Sequence, residues 1–261
     1  MSSHLTSLSS DGVFTITLNR PDIHNAFDDT LIADLTRTLH EAEADKNVRI
    51  IVLTGTGKSF SAGADLNWMK RMARYTEEEN YHDAMALAEL MLTLNRLRKP
   101  TIARVNGAAY GGGVGLIACC DMAIGVTDAQ FALTEVKLGL IPAVISPYVV
   151  AAIGEKMSRR YCLTAERFSA ADAMRMNLLN EVVDVNELDQ AVARLAAALL
   201  AAGPVAQAEA KDLIASVSHR PPTDSLIADT AERIAHVRIS PEGQEGLAAF
   251  LEKRKPSWIK P

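Results

Sequence analysis

An α/β core followed by a helical C-terminal part is the fold class this sequence predicts. Strand and helix signals alternate through the first half, and from about Ser146 to Lys253 the pattern turns mainly helical. Residues 13–18 (VFTITL) are β-branched and apolar, a strand that Arg20-Pro21-Asp22 interrupts. Asp29 is placed to cap a helix in which Leu31, Ile32, Leu35, Leu39 and Ala42 share one face. Residues 48–54 (VRIIVLT) read as a buried strand ended by Gly55 and Gly57. Thr76 with Glu79 forms a capping box that opens a helix running to about Arg98, with Met85, Ala88 and Leu92 on one stripe. Pro100 stops that helix. Residues 101–105 predict a strand, 113–119 a helix, and 121–126 and 130–133 two further strands. Gly154, Asn180, Gly203-Pro204 and Pro221-Pro222 punctuate the helical second half, and no linker separates the halves.

Composition narrows the function classes. Apolar residues make up 48% of the 261 and charged residues 23%, which is enough hydrocarbon for a real core and argues against a disordered chain. The net charge of −5 gives no basic footprint, so no nucleic-acid partner is expected. Three cysteines exclude a disulfide scaffold, and six scattered histidines without a C-x-x-C or H-E-x-x-H pattern predict no metal site. The apolar stretches 107–120 and 138–153 are broken by Gly or Pro and fall short of the ~20 residues of a membrane span. The first Lys or Arg is Arg20, so no targeting peptide is expected, and a reducing cytoplasm is the expected location.

Three segments carry residues suited to chemistry. FSAGADL (60–66) follows a strand, and Gly63 lets the backbone turn sharply enough to present an N–H. The same residues also fit a plain strand-to-helix turn capped by Asp65. NGAAYGGGVGL (106–116) places three glycines at the start of a helix, where unpaired N–H groups and partial positive charge suit an anion. Close core packing explains those glycines equally well. Gly113, Gly115 and Ala118 match a dinucleotide fingerprint only weakly, because about seven loop residues separate them from the preceding strand. In FALTEVKLGLIP (131–142), Glu135 stands among Leu133, Val136, Leu138 and Leu140, where desolvation would raise its pKa toward acid–base use; a helix-capping or surface carboxylate is the alternative. No G-x-S-x-G elbow is present.

Taken together and in this order, these segments resemble the crotonase superfamily, the enoyl-CoA hydratases and isomerases. The likeness covers nearly the whole chain: LNRPDIHNAF (18–27), FSAGADL, NGAAYGGGVGLIACCDMAI (106–124), FALTEVKLGLIP, LTAERFSAADA (163–173) and EGQEGLAAFLEKRKP (242–256). Within it, CCDMA (119–123), TEVKLGLIPAVISPYV (134–149) and SPEGQEG (240–246) are similar to the bacterial 3-methylglutaconyl-CoA hydratases of leucine breakdown. The resemblance implies a crotonase-like spiral of ββα units over residues 1–200 and a helical C-terminal trimerisation region over 201–261, assembled as a homotrimer or a dimer of trimers. It implies hydration of an enoyl-CoA, with CoA as part of the substrate and no further cofactor. The alternatives are a Δ3,Δ2-enoyl-CoA isomerase and a catalytically weak acyl-CoA- or RNA-binding relative.

By motif position the resemblance places an oxyanion hole at the N–H groups of Ala64 and Gly112, with Glu135 as acid–base. Hydratases of this kind use two glutamates, and the second position is Gly115 here. A single glutamate remains able to pass a water proton to Cα while hydroxide adds to Cβ, or to shuttle one proton in an isomerase. CoA contacts map to the backbone at Ile23, His24 and Ala62, and the pantetheine arm to Leu66. Asp22 and Asn67 stand where lysines often meet the phosphates. Phe250 and Lys253 match residues that reach the adenine and 3′-phosphate from a neighbouring subunit. A distal carboxylate on the substrate would need a buried partner. Lys70, Arg71, Arg74, Tyr110 and Ser146 are the candidates, although Lys70, Arg71 and Arg74 also read as a solvated helix face.

Overall fold

The computed structural model describes residues 3–259. Its longer strands are β1 (His4–Leu8), β2 (Val13–Leu18), β3 (Ile50–Gly55), β5 (Thr101–Val105) and β7 (Met122–Val126). With β10 (Glu181–Val183) they form one sheet in the order β1-β2-β3-β5-β7-β10, parallel except for the β1/β2 pair. Every residue of β3 is buried, which explains why it reads as an unbroken apolar run: both faces of a parallel sheet are covered. A second sheet holds the short strands β4 (Ser59–Ser61), β6 (Ala108–Tyr110), β8 (Gln130–Ala132) and β9 (Phe168–Ser169) in that order.

The chain repeats one path. It runs along a strand of the large sheet, turns into a strand of the small sheet, then enters a helix. β3 and β4 lead to α2 (Leu66–Met72) and α3 (Glu77–Arg96), and β5 and β6 lead to α4 (Gly112–Cys119). β7 and β8 lead through a 3-10 turn at Glu135–Leu138 to α5 (Ser146–Thr164), which breaks at Gly154. This is the spiral of ββα units. α6 (Ala170–Arg175) and α7 (Leu188–Leu200) complete the core; α7 packs against β3, β5 and β7. α8 (Pro204–Val217), α9 (Asp224–Ile239) and α10 (Pro241–Leu251) pack on one another.

Several local expectations need correction. The cap of α1 (Asp29–Ala44) is Asp28, whose carboxylate accepts from the Leu31 N–H; Asp29 is the first helical residue. The expected buried face of α1 is otherwise as read. On α3 the capping box forms, but Met85 and Leu92 are exposed and Leu90, Met91 and Leu94 are buried. That helix carries apolar residues on two faces, and spacing alone does not say which one meets α1. The helical second half also contains β9 and β10.

One polar residue holds the first crossover together. Asn25 is 0% exposed and adopts a left-handed φ of 55°. Its amide donates to the carbonyls of Thr56 and Ser59, both at 2.8 Å, and its Oδ1 accepts from the Arg20 N–H at 2.9 Å. It therefore ties the turn after β2 to the turn between β3 and β4. Asn25→Ala would remove three hydrogen bonds to backbone groups, leaving the Ser59 carbonyl only its bond from Asn106, and would place Ala in a left-handed well, costing about 2–4 kcal/mol. Urea unfolding of the variant, with unchanged slope and a lower midpoint, checks this.

Candidate active site

β4 and β6 are parallel neighbours, so the chain leaves both at the same end and the two following loops lie side by side. Gly63 has a φ of 82°, and a Cβ on it would lie 2.8 Å from the Tyr110 carbonyl oxygen and 3.6 Å from the Gly112 nitrogen. Only glycine fits there, because that backbone conformation and that clearance both exclude a side chain. Ala64 pairs with Phe27 in an isolated parallel bridge. The Phe27 N–H donates to the Gly63 carbonyl at 2.8 Å, and the Asp65 N–H donates to the Phe27 carbonyl at 2.9 Å. In that ladder pattern the middle residue turns its own N–H away from the bridge. Among the described residues the Ala64 N–H has no acceptor.

Gly112 opens α4, so its N–H has no partner one turn back, and it too lacks an acceptor among the described residues. The helix dipole adds partial positive charge at that point. Phe27 governs this second loop as well: a Cβ on Gly112 would stand 2.2 Å from its ring Cζ. Phe27 is 2% exposed and also meets Trp68 with ring centroids 6.3 Å apart. Its backbone thus pins one amide-bearing loop while its ring butts against the other.

Glu135 follows β8 and begins the 3-10 turn. Its Oε1 lies 3.0 Å from where a Cβ on Gly111 would be, which puts the carboxyl beside the residue preceding the Gly112 amide. Its Oε2 is buried and has no hydrogen-bond partner among the described residues. Burial pushes the Glu135 pKa above the ordinary carboxylate range, against a smaller lowering from its own backbone N–H. Cys162 on α5 is near enough that the Glu135 charge adds to the rise that burial imposes on its thiol.

Gly115, one turn after Gly111 on α4, faces hydrocarbon. A Cβ there would lie 2.3 Å from Ile145 Cγ2, 2.9 Å from Ile145 Cβ and 3.3 Å from Met91 Cε. The space a second carboxylate would enter is filled by the Ile145 side chain, itself buried.

The remaining residues read from the sequence are spread over several places. Ile23 and His24 lie in and after a 3-10 turn at Pro21–Ile23, and the Ala62 N–H donates to the His24 carbonyl at 2.9 Å, so these three come together beside Ala64. Leu66, the first residue of α2, is 73% exposed at the rim, and Lys70 lies one turn further along α2. Arg71 is engaged by Asp29 at 2.6 Å, while Arg74 is exposed. Tyr110 sits under the Arg167 guanidinium, 5.7 Å from its ring centroid, and the Ser146 hydroxyl donates to the Ala143 carbonyl at 2.8 Å. Phe250, 81% exposed, and the exposed Lys253 lie at the end of α10, which packs on α8 and α9. Phe27, Asn25, Arg20 and Ile145 are the supporting residues the sequence reading did not single out. Phe27 and Asn25 lie inside the quoted LNRPDIHNAF segment, yet nothing in their spacing announces a bridge or a left-handed turn.

Residues 9–261 match the enoyl-CoA hydratase/isomerase family model. A crystal structure of an enoyl-CoA hydratase from Shewanella pealeana is 46% identical, with a TM-score of 0.96 over 98% of this chain and 96% of that one. An enoyl-CoA hydratase structure from Mycobacterium smegmatis is 33% identical, with a TM-score of 0.93 over 100% of both chains. The short-chain-enoyl-CoA hydratase of Clostridium acetobutylicum is 31% identical over 245 residues, 93% of this chain and 92% of that protein.

The raised pKa of Glu135 has a stability consequence whose sign is fixed. An unfolded glutamate titrates near ~4.3. The fold binds that proton more tightly, so the contribution of this group is full below the unfolded value and is lost as pH rises through the folded one. Glu135→Gln is therefore expected to be more stable than the parent at pH 7.5 and no more stable at pH 4. Urea midpoints measured across that range check it.

Proposed function

The chain belongs to the enoyl-CoA hydratase/isomerase family, and from that premise we propose that it hydrates an α,β-unsaturated acyl-CoA through an oxyanion hole and a single glutamate. What supports this reading is the close approach of the two loops that bear the acceptor-free amides of Ala64 and Gly112, with the partnerless Oε2 of Glu135 beside the second of them. The thioester oxygen accepts from both amides. Ionised Glu135 takes a proton from water as the water oxygen bonds to Cβ, and the electron pair of the double bond moves toward the thioester, whose oxygen carries the negative charge. Glu135 then returns that proton to Cα. Water is consumed whole, and the carboxylate ends as it began. One prepositioned donor of this kind lowers a barrier by about 3 kcal/mol, because it meets charge where charge develops. A carboxyl with an elevated pKa serves both halves of the transfer.

The proposed substrate is 3-methylglutaconyl-CoA or a related branched enoyl-CoA. Supporting a distal carboxylate, Lys70 and Arg74 have no ion-pair partner among the described residues, whereas Arg71 is held by Asp29. Ile23, His24, Ala62 and Leu66 would line the CoA side. Phe250 and Lys253 would reach the CoA of a neighbouring subunit in a homotrimer or a dimer of trimers. The exposed Leu247, Phe250 and Leu251 of α10 support such an assembly. The hydrocarbon packing at Gly115 favours a second reading, Δ3,Δ2-enoyl-CoA isomerisation, because shuttling one proton between carbons needs one carboxylate only.

A panel of enoyl-CoAs with and without a distal carboxylate separates these readings. Hydration removes the conjugated-thioester absorbance of a 2-enoyl-CoA, while isomerisation creates it from a 3-enoyl-CoA. Glu135→Gln is expected to lose at least ~100-fold in kcat for either reaction and to retain CoA binding. Full activity in that variant would remove Glu135 from the mechanism.

A further inference from the structure

Beyond the residues placed at the reacting atoms, the anchoring of the Ala64 loop carries a further assignment. It rests on the oxyanion reading above. We propose that Arg20 is a positioning residue that fixes the direction of the Ala64 amide.

The geometry brackets Ala64 from both sides. Gly63 is held by Phe27 through its carbonyl, and Asp65 is held by Phe27 through its N–H. The Asp65 side chain is the remaining free end of the loop. Its Oδ1 caps α2, accepting from Asn67 N–H at 2.7 Å and Trp68 N–H at 3.1 Å. Its Oδ2 faces the Arg20 guanidinium at 3.5 Å. The same guanidinium donates to the Ala26 carbonyl at 2.9 Å and meets Asp28 at 2.9 Å. Arg20 thus clasps residues on both sides of the Phe27–Ala64 bridge with one planar group. The clasp is poorly hydrated: the side chains of Arg20 and Asp65 are 22% and 9% exposed. Arg20 is itself fixed, since its N–H donates to Asn25 Oδ1 and its carbonyl accepts from the Ile23 and Asn25 N–H groups.

Each peptide plane turns only about its two flanking dihedrals. The Gly63–Ala64 plane, which carries the Ala64 N–H, is held at its carbonyl by the Phe27 N–H alone; because Gly63 is left-handed and sterically permissive, the angle at which that one bond holds the plane depends on Asp65 being fixed beyond it. Removing Arg20 leaves the Asp28 and Asp65 carboxylates facing one another without a cation, so the loop exit moves to separate them. Lysine carries the charge but not the fork that reaches a carbonyl and two carboxylates together.

The test uses the full chain, with Arg20→Ala and Arg20→Lys each made in the parent and in the Glu135→Gln background. The unreactive background binds the conjugated enoyl-CoA chosen from the panel, and the red shift of its absorbance reports polarisation of the thioester by the amides. The expected result is a kcat loss of ~10–100-fold at a KM within a few-fold of the parent, as for small misplacements of catalytic groups. The red shift should shrink in both variants, and added guanidinium should restore part of the Arg20→Ala rate. A merely structural role would lower the melting temperature and leave the red shift of the folded fraction intact, which would overturn the proposal. If Arg20→Ala does not fold, the Arg20→Lys red shift decides between the same two outcomes. Absence of any red shift in the Glu135→Gln protein with Arg20 intact would overturn the oxyanion reading itself, and the role of Arg20 with it.

Discussion

The proposed site depends on two loops from successive turns of a spiral lying against each other, and Phe27 is the residue that ties them together. Its backbone extends the β4 loop by one bridge, and its ring closes against the first turn of α4. Neither contact is strong alone. A net hydrogen bond contributes about 1 kcal/mol and a buried phenylalanine about 2–3 kcal/mol. Their value lies in acting from one rigid side chain and one residue of backbone, so that movement of either loop disturbs both. The aromatic ring also explains why Gly112 tolerates no Cβ: the helix start has been brought into van der Waals contact with the group that aligns it.

The polar atoms at this site follow an asymmetric pattern. Those that support the loops are satisfied: Asn25 spends all its amide hydrogen bonds, Asp65 caps a helix, and the Ser61 hydroxyl donates to the Asn25 carbonyl at 2.9 Å. Those that would meet a substrate are left open, namely two N–H groups and one carboxyl oxygen. For the buried Oε2 of Glu135, standing without a partner costs about 1–3 kcal/mol, which a bound substrate or water would offset.

Much of this was legible in the sequence. The apolar face of α1, the capping box of α3 and the glycine-rich start of α4 follow from spacing and residue type. The site segments were weak signals by residue type alone, open to reading as a turn, a packed core or a surface carboxylate; their resemblance, taken in series, to the crotonase superfamily is what singled them out. What spacing did not reveal has physical causes. Strands of three residues, such as β4 and β6, are too short to show a period of two. The α3 helix is apolar on two faces, and the choice between them is made by α1, a partner distant in sequence. Phe27 and Ile145 act by fitting into gaps left by glycines far along the chain, and such complementarity exists only once both are folded. Arg20 reads as part of a turn, since its partners at 28 and 65 are unrelated by any periodicity.

The lock-and-key fit between Ile145 and Gly115 has an evolutionary corollary. An acidic residue at 115 collides with the isoleucine, and trimming the isoleucine first opens a void beside Met91. Either intermediate is less fit to fold than the sequence on each side of it. Exchanging Gly115 for an acidic residue therefore calls for paired changes at 115 and 145, because neither single step leaves the packing intact.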